Sequence, residues 1–292
     1  MNISIEELIS NHKSVGIACH DAGGANIINS MIKHFSNYNF LLHIAGPASQ
    51  IFNAENTQRE KSETSFFKKI DLLILGTGGT DFEKSLLQKA VKKNITTISI
   101  LDHFVNFSKR FILKNEITYP HYCFVVDKPA LRIAKKELNP YKKIYLCKNY
   151  YIEFMRNELK NIIKIDSEKV LYILEDIKED WGKETTWHLA FKNFYYNFFK
   201  KNSNLKSIIV RPHPKDKIEK YKELYKYKEV IFDTNISQLD SLNVVNKVIG
   251  AESYFLYLAK ELGFEVYSSM PTNIRSPRLP KNTCKTISYE QT

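Results

Sequence analysis

The chain has 292 residues, 43% hydrophobic and 26% charged, a balance that excludes a disordered or fibrous protein. No apolar run approaches the roughly 20 residues of a membrane span, and four scattered cysteines with no CxxC pair argue against a disulfide framework or structural zinc. A formal net charge of +11 favours anionic partners, nucleotides, nucleic acid or an anionic membrane face, although part of it reflects a generally lysine-rich composition.

The opening Met1-Asn2-Ile3-Ser4-Ile5-Glu6-Glu7 has no basic region followed by an apolar core, so a cytoplasmic protein is expected. Residues 14–19 predict a buried strand that ends in His20-Asp21-Ala22-Gly23-Gly24-Ala25-Asn26 and passes into a helix carrying Ile27, Ile28, Met31, Ile32 and Phe35. Strand, glycine turn and helix start give backbone N–H groups and a helix dipole facing a ligand, with an acid and an imidazole at the tip. A strand over 40–45 contains His43, read as a core histidine, and the polar residues 53–65 read as a loop. The next strand, 70–75, leads into a second glycine turn, Gly76-Thr77-Gly78-Gly79-Thr80, and an amphipathic helix. A strand over 96–101 delivers Asp102-His103, with Arg110-Phe111 close behind. Two acid–imidazole pairs at the carboxyl ends of neighbouring parallel strands would converge on one crevice. Strands over 122–126 and 143–147, separated by a helix near 129–138, complete a β-α-β-α alternation.

After a helix over 152–163 the pattern restarts. A strand at 170–174 ends in Glu175-Asp176, and an aromatic stripe over 183–200 (Trp187, Phe191, Phe194, Tyr195, Phe198) has the spacing of a core-facing helix. A strand over 207–210 runs into Arg211-Pro212-His213-Pro214-Lys215-Asp216, where two prolines stop the ladder and fix the backbone between a guanidinium, an imidazole and an ammonium. Such a cluster at a strand end suits a phosphate or pyrophosphate. Strands over 229–232 and 244–249 follow, the latter ending in Gly250-Ala251-Glu252-Ser253 before a helix over 254–262. Gly263 reads as its C-cap and 265–267 as a further strand, while 270–292 shows no pattern. The fold class expected is α/β, with two Rossmann-like domains, 1–165 and 166–292, facing across a cleft: the arrangement called GT-B.

The second half resembles the nucleotide-binding half of bacterial cell-surface glycan transferases: the sialyl- and polysialyltransferases with an HP motif and the CDP-glycerol polymerases of teichoic acid synthesis. In them a strand runs into His-Pro, as at His213-Pro214, and a later strand leads to a serine-containing small-residue turn at a helix start, as at Gly250–Ser253, though here Glu252 precedes Ser253. Both features hold the donor's phosphate in those families. The first half, with HDAGGAN and DHFVNFxxRF, resembles proteins encoded among capsule and lipopolysaccharide genes. The acidic Asp/Glu-Asp/Glu-Gly segment of the sialyltransferases is absent.

The resemblance implies transfer of a sugar or polyol phosphate from a nucleotide-activated donor, CMP- or CDP-linked, to a glycan or lipid-linked acceptor, at or near the anionic inner membrane. The chemistry then needs a base for the acceptor hydroxyl, expected to be Asp21 or Asp102 with His20 or His103 orienting it or acting instead. Gly23, Gly24 and Gly78 would let a ligand approach the backbone. Arg211, His213 and Lys215, positioned by Pro214, would neutralise the leaving phosphate, helped by Ser253 beside Glu252. Glu175-Asp176 would touch the donor's ribose or base. No DxD motif is present, so neither a metal nor a separate cofactor is expected. A nucleotide-sugar epimerase or hydrolase on the same fold is the alternative. A nucleic-acid-binding protein is disfavoured, because the aromatics follow core spacing instead of lining a basic stripe.

Overall fold

A computed structural model of the chain describes residues 3–159, 166–175, 186–214, 216–235, 237–274 and 276–290. The chain divides into two compact units, Met1–Phe154 and Met155–Thr292. The junction expected at 165/166 adjoins residues outside the described ones.

The first unit contains α1 (Ile5–Ser10), β1 (Val15–Cys19), α2 (Ala22–His34), β2 (Phe40–Ile44), β3 (Thr57–Arg59), α3 (Glu63–Lys68), β4 (Leu72–Leu75), α4 (Asp81–Lys92), β5 (Thr96–Leu101), a small hairpin β6 (Ile112–Leu113) and β7 (Glu116–Ile117), β8 (Tyr122–Val125), α5 (Lys128–Glu137), β9 (Ile144–Leu146) and the start of α6 (Tyr150–Leu159). Its main sheet is parallel throughout, in the order β3-β2-β1-β4-β5-β8-β9. Every residue of β1 and β4 is buried, as an apolar run covered on both faces requires. The order reverses between β1 and β4. β1 pairs with β2 on one side and β4 on the other, so the turns after β1 and β4 flank the crevice where α/β sheets bind ligands.

The second unit contains β10 (Lys169–Ile173), α7 (Trp187–Phe194), β11 (Ser207–Arg211), β12 (Val230–Phe232), α8 (Gln238–Leu242), β13 (Lys247–Gly250), α9 (Tyr254–Glu261), β14 (Glu265–Ser268) and β15 (Lys285–Thr286). Its six parallel strands run β12-β11-β10-β13-β14-β15, the same winding as the first six of unit one, with the reversal between β10 and β13.

The aromatic stripe is core, as its spacing predicts: Trp187, Phe191, Phe194 and Tyr195 are buried against Tyr172, Val210 and Tyr221, with Phe198 packed on the same cluster. Of the helix expected over 183–200, residues 183–185 lie outside the described ones. Thr186 caps it at its start, and after Phe194 it widens into a π turn, Tyr195–Phe199. In that turn the Lys200 N–H donates to Tyr195 O at 2.9 Å, and Tyr195 and Phe199 stack at 5.8 Å on the core side. Four short strands escaped the sequence reading. β6 and β7 are the two-residue arms of a hairpin; β3 lies in the segment read as a loop, and β15 lies in the tail that showed no pattern, both of them polar edge strands without alternation. Among the described residues no helix is long and apolar enough to cross a membrane.

Candidate functional site

At the switch point of unit one, three strand ends bring their side chains together. His20 Nδ1 lies 2.7 Å from Asp21 Oδ1, and the other oxygen of Asp21 accepts the Gly79 N–H at 2.9 Å from the turn after β4. Asp21 also stands at the N-cap position of α2, where a negative charge is favourable. The pair is one-fifth exposed: 22% for the His20 side chain, 19% for Asp21. A Cβ at Gly46 would come within 2.5 Å of His20 Nε2, so only a glycine, here at φ +54, fits against that edge of the imidazole.

The second expected acid, Asp102, reaches the same turn. Its carboxylate sits so close to α2 that a Cβ at Gly23 would meet Oδ2 at 2.3 Å. Arg110 Nη1 donates to Asp102 Oδ1 at 2.8 Å and also to the Thr77 carbonyl and, at 3.1 Å, to Thr77 Oγ1. Thr77 Oγ1 in turn donates to Ile100 O at 3.0 Å, so β4, β5 and the Arg110 segment are tied at one point. Gly78 serves Asp21 as Gly23 serves Asp102: a Cβ there would stand 2.8 Å from the Asp21 carboxyl carbon. Gly24 faces Gly76 across the turn, with 3.3 Å from its would-be Cβ to the Gly76 Cα. His103 takes a different part, its Nδ1 accepting the Phe104 N–H at 2.8 Å.

A third carboxylate, Glu83 of α4, was not foreseen. It is 3% exposed and accepts the His20 N–H at 2.8 Å. Burial raises its pKa, and the neighbouring Asp21 charge adds to the rise. An acid in the first turn of a helix reads from sequence as a dipole partner, which hid it. Burial likewise pushes the Cys19 thiol well up, with Glu83, Asp102 and Asp21 all raising it further; Cys19 is therefore not a nucleophile at neutral pH. His43, read as a core histidine, is half-buried and stacks on Phe66 and Phe82, with Nδ1 2.9 Å from Glu60 O.

In unit two, the turn after β11 differs from expectation in one respect. Arg211 does not stand out from the strand end as a phosphate grip. It is buried, and Nη1 donates to Asp233 Oδ2 at 2.8 Å, Ser241 Oγ at 2.6 Å and Asn235 O at 3.0 Å. The physical reason is Asp233, 1% exposed at its side chain, whose burial demands a cation. Half-buried His213 and exposed Pro214 remain at the tip, the His213 carbonyl accepting the Asp216 N–H at 2.9 Å to close the turn. Lys215 and Asp176 lie outside the described residues.

Glu175 also departs from its expected place against a ribose. It is 7% exposed, and Oε1 accepts the Ala251 N–H at 2.9 Å and the Glu252 N–H at 2.8 Å, binding the β10 tip to the turn after β13. Burial pushes its carboxyl up to about 8, although the turn's N–H groups pull the other way. Glu252 is buried and held by Arg278, whose Nε and Nη2 donate to Oε1 at 2.9 and 2.7 Å while the Arg278 N–H donates to Oε2 at 2.8 Å. Ser253 caps α9 by accepting the Phe255 N–H. Arg278 comes from the segment that showed no pattern in sequence, so nothing there could have nominated it. Among the described residues no group of three or more His, Cys, Asp or Glu side chains is arranged to hold a metal ion.

No protein-family model matches the sequence, and no curated protein matches it. In fold, the chain is similar to the UDP-GlcNAc 2-epimerase of Neisseria meningitidis, solved bound to UDP-GlcNAc: 13% identity over 88% of this chain and 82% of that one, TM-score 0.63. It is also similar to the glycotransferase of kitacinnamycin (9% identity, 94% and 86% covered, TM-score 0.56). A third likeness is to the wall teichoic acid polymerase TagF soaked with CDPG (14% identity, 89% and 70% covered, TM-score 0.51). These likenesses establish the fold, α/β with two Rossmann-like domains of GT-B type.

Proposed function

We propose that this chain is a nucleotide-sugar enzyme, a glycosyltransferase that moves a sugar or polyol phosphate from a nucleotide-activated donor to a surface-polysaccharide acceptor. The observation that carries the reading is the His20–Asp21 pair at the switch point of unit one. Asp21, fixed by the Gly79 N–H, accepts a hydrogen bond from His20 Nδ1–H and orients the ring, so that Nε2, beside Gly46, takes the proton of an acceptor hydroxyl. Asp102, with Arg110 against it, is a positioning residue: it shapes the turn at Gly23 and leaves the base role to His20.

In unit two, His213 at the proline-fixed tip of β11, with Lys215 next to Pro214 in sequence, meets the leaving phosphate, and the CMP- or CDP-linked donor comes from the resemblance of this His-Pro to that of the sialyltransferases and CDP-glycerol polymerases. The reading needs no metal, because cationic side chains stabilise the leaving group. It assigns the protein to capsule or lipopolysaccharide assembly in a bacterial cytoplasm, beside the anionic inner membrane that carries a lipid-linked acceptor, and gives it no nucleic-acid partner. The test is a thermal-shift panel of CMP, CDP, UMP, UDP and GDP on wild type and His213→Ala. A nucleotide at 100 times its Kd adds roughly 2.7 kcal/mol of stability. Stabilisation by a cytidine nucleotide that is lost in His213→Ala supports the transferase; silence to all five removes the nucleotide reading.

The fold-level likeness to UDP-GlcNAc 2-epimerases favours a second reading, an epimerase or hydrolase acting on a nucleotide sugar alone. It predicts product formed from UDP-GlcNAc without any acceptor, whereas the transferase requires one.

A further inference from the structure

The two units carry one device at matching places. In unit one, Asp21 lies two residues past the end of β1 and accepts the Gly79 N–H in the turn after β4. In unit two, Glu175 lies two residues past the end of β10 and accepts the Ala251 and Glu252 N–H groups in the turn after β13; the Ser253 N–H acts on it as well. β1 and β10 hold the same position in their sheets, as do β4 and β13. At each switch point, a carboxyl group just past the first strand accepts from the backbone of the turn after the fourth: the Gly79 N–H alone in unit one, successive N–H groups in unit two.

Successive backbone N–H groups between a strand and a helix are an anion cradle, and α/β proteins commonly offer such a cradle to a phosphate. In unit two the chain's own carboxyl fills it. The carboxyl packs against the strand end: Glu175 Oε1 is 3.4 Å from where a Cβ on Gly250 would stand, an ordinary van der Waals contact. A phosphate entering the same place would meet the Glu252 carboxylate beside it, whose charge already acts on Glu175 and which Arg278 holds in position. Like charges at that distance repel, and the displaced Glu175 would have no other buried donors among those described for it.

We propose that Glu175 is the resident occupant of the anion cradle in unit two and a specificity-determining residue that closes the β13–α9 turn to phosphate. The ligand phosphate is thereby left to the neighbouring β11 tip at His213, a clause that rests on the nucleotide reading above; the closure itself does not.

The experiment titrates ¹⁵N-labelled full-length protein with inorganic pyrophosphate and follows the Ala251 and Glu252 amide signals, alongside calorimetric titration of wild type, Glu175→Gln and Glu175→Ala. In wild type the two amides stay in place. In Glu175→Ala they move, and pyrophosphate affinity rises about tenfold or more, at least the scale of one hydrogen bond to a charged group. The isosteric Glu175→Gln keeps the cradle filled and gains less. Saturable movement of the wild-type amides overturns the proposal without any variant, so it stands or falls even if Glu175→Ala does not fold. No gain in a folded Glu175→Ala overturns it too. A nucleotide that binds wild type and shifts these amides would sink the closure while leaving the nucleotide reading intact. Absence of any nucleotide binding, with the pyrophosphate results as expected, would do the reverse.

Discussion

At the scale of single residues, the structure separates groups that face a ligand from groups that hold the fold, and mutations should report the difference. Asp21→Asn keeps an acceptor for Gly79 but loses the charge that steadies a protonated His20; turnover should fall about 10²- to 10⁴-fold with the fold intact by circular dichroism. Gly23→Ala drives a methyl into Asp102, which Arg110 prevents from yielding, and should cost about 1–3 kcal/mol in chemical denaturation. Arg211→Ala strands Asp233 without its cation and should cost about 3–5 kcal/mol, while His213→Ala should leave stability nearly unchanged and weaken nucleotide binding. Equal losses of stability in both would refute that division. His20, Asp21 and Asp102 were legible because strand, tip and glycine turn are adjacent in sequence. Glu83 and Arg278 were not, since their roles arise from burial and from partners 63 and 26 positions away.

Among the elements, the central parallel strands were legible from their apolar runs, and the aromatic helix from its spacing. Edge strands β3 and β15 were not, because a strand of two or three mostly polar residues is specified by the neighbour it pairs with and not by its own pattern. The β10–β13 junction carries a pH signature. Burial holds Glu175 protonated up to about pH 8, far above an unfolded carboxyl, with Glu252, Arg278, Cys284 and Tyr172 as the charged and titratable groups that bear on it. Between the unfolded value and about 8 the folded state binds the extra proton, so stability declines as pH rises through that window and levels off above it. Glu175→Gln should flatten the decline in melts from pH 5 to 9. An unchanged slope would show that Glu175 ionises normally in the fold.

For the whole molecule, the sequence made the doubly wound halves evident through alternation alone, yet it concealed that both follow one winding, because the helices and tips that repeat in space share no motif. The charge of +11 was legible as a number but not as a location. Part of it is concentrated on α5, whose exposed Lys128, Arg132, Lys135 and Lys136 lie along one side, opposite buried Ala130 and Ala134. The one acid inside that helix, Glu137, accepts the Phe107 N–H, so the outer side is cationic. If the proposed lipid-linked acceptor is met at an anionic membrane, this side should bind it. Co-sedimentation with vesicles rich in anionic lipid should fall with added salt, and Lys135→Glu with Lys136→Glu should weaken it about tenfold or more. Equal binding to neutral vesicles would exclude an electrostatic contact.

The stacked rings of unit one have a practical consequence. Phe82 lies 5.7 Å from the His43 ring and 6.1 Å from that of His20, while Phe66 also stacks on His43, at 5.2 Å. The carbon-bound protons of His43 therefore sit in the shielding cones of two phenyl rings and should resonate upfield of an exposed histidine. Because Phe82 also borders His20, any small molecule that shifts His20 or the start of α4 should move those signals, giving a resident spectroscopic reporter that needs neither a label on the ligand nor knowledge of the reaction.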